Sequence, residues 1–180
     1  MEEALQRTLN WVYRQSPEML TMYSVYAALI FHTFFRRFEG TRWLRPCLWT
    51  ALGGWFGIVL CTTIFCRTLG GSYDTQWIPL HSYRYFFHAE FPEAFRSVFM
   101  NVLLFYPAGL LWAALFRGNK SRRDRIRHMV LLFGLFSLSI ELSQYFFQLG
   151  TAEIDDVLHN TLGAAAGFAA FHLDLDDPHR

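Results

Sequence analysis

Ser137, Glu141, Gln144 and Gln148 recur at spacings of four, three and four residues within an otherwise apolar stretch. On a helix that spacing forms one polar stripe. Asp156, Asn160, Gly163 and Gly167 repeat it shortly afterwards, and Asp155 and His159 form an i, i+4 pair in the same segment. Carboxylates, an imidazole and amides on facing helices can hold a divalent cation, move a proton, or hydrogen-bond a polar ligand. Glu141 is the sharpest signal. A carboxylate about two turns into a membrane costs at least ~2.5 kcal/mol unless paired, protonated or hydrated. Its structural reading is a polar lock through Gln144, Asn101 or Asn160. Its functional reading is a ligand, metal or proton site, and the shared depth of Asn101, Glu141, Gln144, His159 and Asn160 favours that. For Asp155 and Asp156 alone, complementarity to a helix N-terminus is a sufficient account.

The elements that carry these residues are apolar runs long enough to cross a hydrocarbon layer of ~30 Å. Met19–Phe35, Cys47–Cys66, Val98–Phe116, Met129–Leu149 and Val157–Leu173 are five such runs, the last rich in Ala and Gly. The expected fold is therefore all-α: a polytopic membrane helix bundle of about five spans, forming a single membrane domain over residues 1–180. Hydrophobic residues make up 53% of the chain and charged residues only 17%, which excludes a disordered chain. A net charge of +1 excludes a nucleic-acid binder working by bulk charge. Cys47, Cys61 and Cys66 are too few and too apolar in setting for a disulfide framework or zinc site. Leu5, Leu9 and Val12 predict a short helix over Ala4–Tyr13, lying on the membrane or extending the first span. No cleavable signal peptide is expected, because the first turns are acidic.

The short turn between the last two spans predicts antiparallel neighbours. Counting from it at about 1.5 Å per residue puts Gln144 level with Asn160 and Glu141 level with Gly163. Gly163 and Gly167 form a small-xxx-small pattern, which permits close backbone approach and leaves room for a carboxylate. Pro107-Ala108-Gly109 predicts a kink in the third span.

Orientation follows from two basic clusters, Arg36–Arg45 and Arg117–Arg127, in alternate loops. Short Lys/Arg-rich loops stay in the cytoplasm, so the N-terminus is expected outside and the C-terminus inside. The clusters read as topology signals rather than ligand sites. Arg67–Ser97 then lies outside, mixing Trp77, Tyr83, Tyr85, Phe86, Phe87 and Phe91 with His81, Arg84 and Arg96. Such a segment suits the headgroup level, either as a membrane-anchoring belt or as part of a ligand site.

Asn101-Val-Leu-Leu-Phe-Tyr-Pro107-Ala-Gly109, Ile140-Glu141-Leu-Ser-Gln144 and Glu153-Ile-Asp155-Asp156-Val-Leu-His159-Asn160-Thr161-Leu-Gly163 resemble the VanZ-like family, in this order. Trp77-Ile78-Pro79 resembles the pattern ahead of the family's Asn-Pro-Gly helix, so the likeness runs over about residues 75–170. Many members carry an arginine just before the acidic turn, where this chain has Gln148-Leu149-Gly150-Thr151. Arg84 or Arg96 is the expected spatial substitute. The resemblance implies a multi-pass bacterial membrane protein, whose founding member is associated with resistance to teicoplanin, a glycopeptide carrying an acyl chain. It implies no secured chemistry.

Three functions fit. The first is a non-enzymatic outer-leaflet binder of a lipid, a lipid-linked cell-wall precursor or a lipoglycopeptide. It would use Asn101, Glu141, Gln144, Asp155, Asp156, His159, Asn160, Arg84 and Trp77, and no cofactor. The second is a metal-assisted hydrolase or transferase on lipid-linked phosphates, against which stands the lack of HExxH or an activated Ser or Cys signature. The third is a small proton-coupled transporter, although the chain shows no inverted repeat.

Overall fold

The computed structural model describes residues 30–31, 33–65, 67, 70, 74–87, 91–118 and 121–174. The predicted surface helix, the N-terminal leader reading and most of the first span lie outside these residues. Its end is helical over residues 33–38. Helix α1 follows (Leu44–Leu60) and widens into a single π turn at Cys61–Phe65. Then come strand β1 (Asp74–Gln76), a 3₁₀ helix (Ser82–Phe87), α2 (Phe91–Leu115), α3 (Arg122–Phe147), strand β2 (Thr151–Glu153) and α4 (Ile154–Asp174).

Three segments are long and apolar enough to cross a membrane, Leu44–Phe65, Ala94–Leu115 and Arg122–Phe147. Much of their apolar surface faces outward, including Ile58, Leu131, Leu135 and Phe146, each at least 60% exposed. A water-soluble surface rarely carries so much contiguous hydrocarbon, whereas lipid tolerates it at no cost. Of the about five spans expected, three are long and apolar enough among the described residues, most of the first lies outside them, and the fifth run is the polar-headed α4. Its first turn carries Asp155 and Asp156, and its buried face carries His159 and Asn160, which lower its apolarity. The helical bundle expected from sequence carries one small addition, a pair of three-residue strands. β1 and β2 pair in parallel, Asp74 with Thr151, Thr75 with Ala152 and Gln76 with Glu153.

Glycines decide the central packing. A Cβ on Gly163 or Gly167 would overlap the Val102 or Tyr106 carbonyl of α2, and one on Gly109 would overlap the Ala164 carbonyl of α4. Backbones this close require hydrogen as the side chain. The contacts rise together along both helices, so α2 and α4 run parallel. Between them in sequence, α3 runs antiparallel, with Gly134 beside Thr161.

Helix α2 continues through Pro107, which leaves the carbonyl of Leu103 without its usual donor. The next carbonyl, Leu104, accepts the Trp55 indole N–H at 2.8 Å. Trp55 is the hub of the core. Its ring packs edge-to-face on Phe105 and Phe133 at 5.0 and 5.6 Å between centroids. Arg117 pairs with Glu39, which brings the two basic loops to one end of the bundle. That arrangement matches the alternate-loop pattern read from the sequence.

Candidate functional site

The opposite end holds the polar residues, and it is built from segments far apart in the chain. Thr62 and Thr63 hydroxyls donate to the carbonyls of Ile58 and Val59, competing with the helix ladder where α1 widens into its π turn. The Thr63 carbonyl accepts from Gln144 Nε2 at 3.2 Å. Helix α3 ends at Gln148, whose left-handed backbone lets the Leu149 N–H reach back to the Gln144 carbonyl at 3.0 Å. Leu149 is buried, and its carbonyl accepts from Arg67 Nη1 at 3.0 Å. Gly150 lies under that guanidinium at φ +120, where a Cβ would come within 2.6 Å of Nη1.

Strand β2 then runs back beside the last turns of α3. The Glu153 N–H donates to Glu141 Oε2 at 2.8 Å, and Glu141 is 2% exposed. Deeper down, Asn160 Nδ2 donates to Ser137 Oγ at 2.8 Å. The depth reading from sequence is therefore corrected by about two turns. Asn160 is level with Ser137 rather than Gln144, and Glu141 is level with Glu153 rather than Gly163. Counting from a tight turn missed the strand, which starts α4 lower than the end of α3. The space expected beside Gly163 is taken by the α2 backbone.

Asp155 clasps the aromatic loop. Its two oxygens accept the backbone N–H groups of Leu80 at 2.6 Å and Ser82 at 2.9 Å. Leu80 holds a left-handed φ of 63, so the carboxylate stabilises a conformation the side chain disfavours. Beneath this loop His159 is 1% exposed, with Nε2 3.1 Å from the Tyr83 hydroxyl. Its Nδ1 stands 3.8 Å from Asp156 Oδ1, beyond hydrogen-bond reach. Asp156 Oδ1, His159 Nδ1 and Asn160 Oδ1 are buried without hydrogen-bond partners. Burial, reinforced by the charges of Asp156 and Asp155, raises the Glu153 carboxyl above its ordinary range, against a hydrogen bond from Ser82.

Of the residues picked out from sequence, Glu141, Gln144, Asp155, Asp156, His159 and Asn160 converge here. Trp77 sits at the rim, 40% exposed and edge-on to Tyr145 at 5.8 Å. Asn101 is half-buried on α2, next to Val102 at the glycine contact, and nothing described ties it to the cluster. Arg84 and Arg96 are exposed, and the cation at the acidic turn is Arg67. The substitute expected from sequence is thus corrected. Sequence reasoning also passed over Thr63 and Ser82, and named Tyr83 only within the aromatic segment. A signal for Arg67 existed: it flanks a span on the side that the positive-inside rule leaves poor in cations. Among the described residues no three His, Cys, Asp or Glu side chains form a metal-binding group.

A second feature lies elsewhere. An apolar cleft of about 410 Å³ is lined by Phe31, Leu48, Ala51, Pro107, Leu110 and Leu111, among others. Its α1 wall is twelve or more residues from Thr63, about 20 Å along the helix from the polar cluster.

The family model for VanZ/LLP1 matches residues 23–174. The chain belongs to the VanZ/LLP1 family. The match extends well before the Trp77-Ile78-Pro79 segment and covers every helix described above, so the VanZ/LLP1 assignment embraces the Thr63–Gln144 and Arg67–Leu149 links as well as the acidic motif. No curated protein and no solved structure matches the chain.

Proposed function

We propose that this VanZ/LLP1 membrane protein is a non-enzymatic binder of an amphiphile at the outer leaflet: a lipid, a lipid-linked cell-wall precursor or a lipoglycopeptide. One observation carries the reading. Asp156 Oδ1, His159 Nδ1 and Asn160 Oδ1 lie on one stretch of α4, buried and without hydrogen-bond partners, the first two 3.8 Å apart, under a loop clasped by Asp155. Buried polar groups are ordinarily satisfied, so three together call for a partner with donors and an acceptor, such as a hydroxylated or amine-bearing headgroup. Leu158 and Leu162, both exposed on α4, offer the hydrocarbon path that such a headgroup's chain would follow.

Glu141 and Asp155 act as scaffold in this reading, because backbone N–H groups already occupy them. A role in teicoplanin resistance would follow from binding the acylated antibiotic. The test is thermal unfolding of the purified protein in neutral detergent with undecaprenyl phosphate, phosphatidylethanolamine or teicoplanin added. At least one should raise the wild-type midpoint by several degrees, and His159→Phe and Asp156→Asn should abolish the shift. Equal shifts in wild type and both variants, or no shift with any probe, would overturn the reading.

A further inference from the structure

Arg125 is the least satisfied charge described in the molecule. It lies in the first turn of α3, at the end opposite the acidic turn, and is 8% exposed. Its Nε and Nη1 are buried with no hydrogen-bond partner. The guanidinium sits 5.8 Å above the Phe168 ring of α4, and its backbone carbonyl accepts from Trp112 Nε1 at 3.2 Å. Three helices thus hold this residue in place while its donors go unanswered.

No carboxylate whose side chain is described answers them. Asp124, the next residue along the chain, turns to the helix cap, where it accepts from Ser121 Oγ at 2.7 Å. Glu39 pairs with Arg117, and Asp74 serves Thr75 and Gln76. Glu141, Glu153, Asp155 and Asp156 all belong to the far end. An arginine keeps its charge under all ordinary conditions, so neutralisation by proton loss is closed to it. A buried charge without a partner is strongly unfavourable, whereas the same charge with a bound oxyanion is not.

Position says which oxyanion. Helix α3 has 26 residues, about 39 Å at 1.5 Å per residue, against a hydrocarbon layer of about 30 Å. Each end therefore reaches about 4–5 Å into the headgroup layer, and Arg125, three residues from the helix start, falls at that boundary. Exposed Arg122, Arg123 and Arg127, within three residues of it on the same helix, add positive potential at this end, which repels cations and gathers anions. We propose that Arg125 is the centre of a phosphate-oxyanion site between α2, α3 and α4, at the basic end of the bundle. The phosphate comes either from a phospholipid headgroup or from a soluble phosphate. The site is distinct from the acidic-turn site and stands whether or not that reading holds.

The experiment uses the full chain purified in neutral detergent. Thermal unfolding is followed in three arms: dioleoyl-phosphatidylglycerol, inorganic phosphate, and dioleoyl-glycerol as a phosphate-free lipid. Wild type should gain about 5–10 °C at a hundredfold excess over Kd in the phosphatidylglycerol arm, the phosphate arm or both. A response to lipid alone assigns a headgroup, and a response to inorganic phosphate assigns a soluble source. Arg125→Met, which keeps the length and removes the charge, should lose the shift, and native mass spectrometry should show less retained phosphatidylglycerol. If wild type fails to respond to either phosphate source, or responds equally to dioleoyl-glycerol, the proposal is wrong. It is equally wrong if Arg125→Met responds like wild type. Should that variant not fold, the three wild-type arms decide.

Discussion

The two ends of the bundle differ in how their buried acids and bases are tied to the rest of the chain. At the acidic turn, two carboxylates, Glu141 of α3 and Asp155 of α4, are held by backbone N–H groups, beside the unbonded Asp156 Oδ1, His159 Nδ1 and Asn160 Oδ1. Glu141 takes that of Glu153, and Asp155 takes those of Leu80 and Ser82, the last two more than seventy residues away in sequence. At the basic end, charges are mostly exposed, Arg125 is buried with Nε and Nη1 lacking a hydrogen-bond partner, and the nearby cleft is apolar. The first end is stapled by directional bonds between distant segments. The second is held mainly by rings and aliphatic contacts, with the Arg117–Glu39 pair and the Trp112 bond to the Arg125 carbonyl as its directional links. A bundle in lipid gains little from apolar contact alone, so the stapled end should be the rigid one and the apolar end the adaptable one.

The largest effect should come from the contact that joins both ends. Gly163→Leu places a side chain into the Val102 carbonyl, where only backbone movement makes room. We expect a cost above about 3 kcal/mol and loss of the monodisperse peak in size-exclusion chromatography. A variant that elutes and unfolds like wild type would show that α2 and α4 do not touch there.

Next is the clasp. Asp155→Ala leaves the Leu80 and Ser82 N–H groups without their acceptor, a cost of about 2–4 kcal/mol for two charge-assisted bonds. Hydrogen exchange should rise over residues 74–87 and stay unchanged across the cleft. Uniform protection in the variant would erase the proposed difference between the ends.

A smaller effect concerns pH. The Glu153 carboxyl is raised in the folded protein by burial and by its acidic neighbours, so the native state binds its proton more tightly than the unfolded chain does. Stability from this group is present below the ordinary glutamate range and falls as pH rises from about 4.5 through the raised value. Glu153→Gln should flatten that part of the stability–pH curve. A slope unchanged by the substitution would place the acid-dependent stability elsewhere.

The smallest belongs to the apolar end. Ala51→Phe extends a ring into the 410 Å³ cleft and should raise stability by about 0.5–1 kcal/mol in chemical unfolding. A loss instead would mean that the cleft is already filled, by lipid or by another part of the chain.

Much of this was legible beforehand. Apolar runs located α1, α2 and α3, because a helix in lipid must be long and uncharged. The spacing of Ser137, Glu141 and Gln144 announced one stripe, and all three are buried together. The Gly163–Gly167 pattern foretold a close backbone contact, although its partner proved to be α2. What escaped was register. Residues 151–153 read as a turn because three residues carry too little pattern to declare a strand, and their pairing partner lies at residues 74–76.

By its composition and periodicity alone, the chain determines that it forms membrane-length helices with one polar stripe each on α3 and α4, since both facts depend on local spacing. Only the tertiary structure decides which backbone groups answer the buried acids, that Arg67 covers the acidic turn, and that Arg125 stands alone. Those outcomes depend on contacts between residues tens of positions apart, and hydrophobic patterning fixes which face of a helix is buried without choosing what it meets.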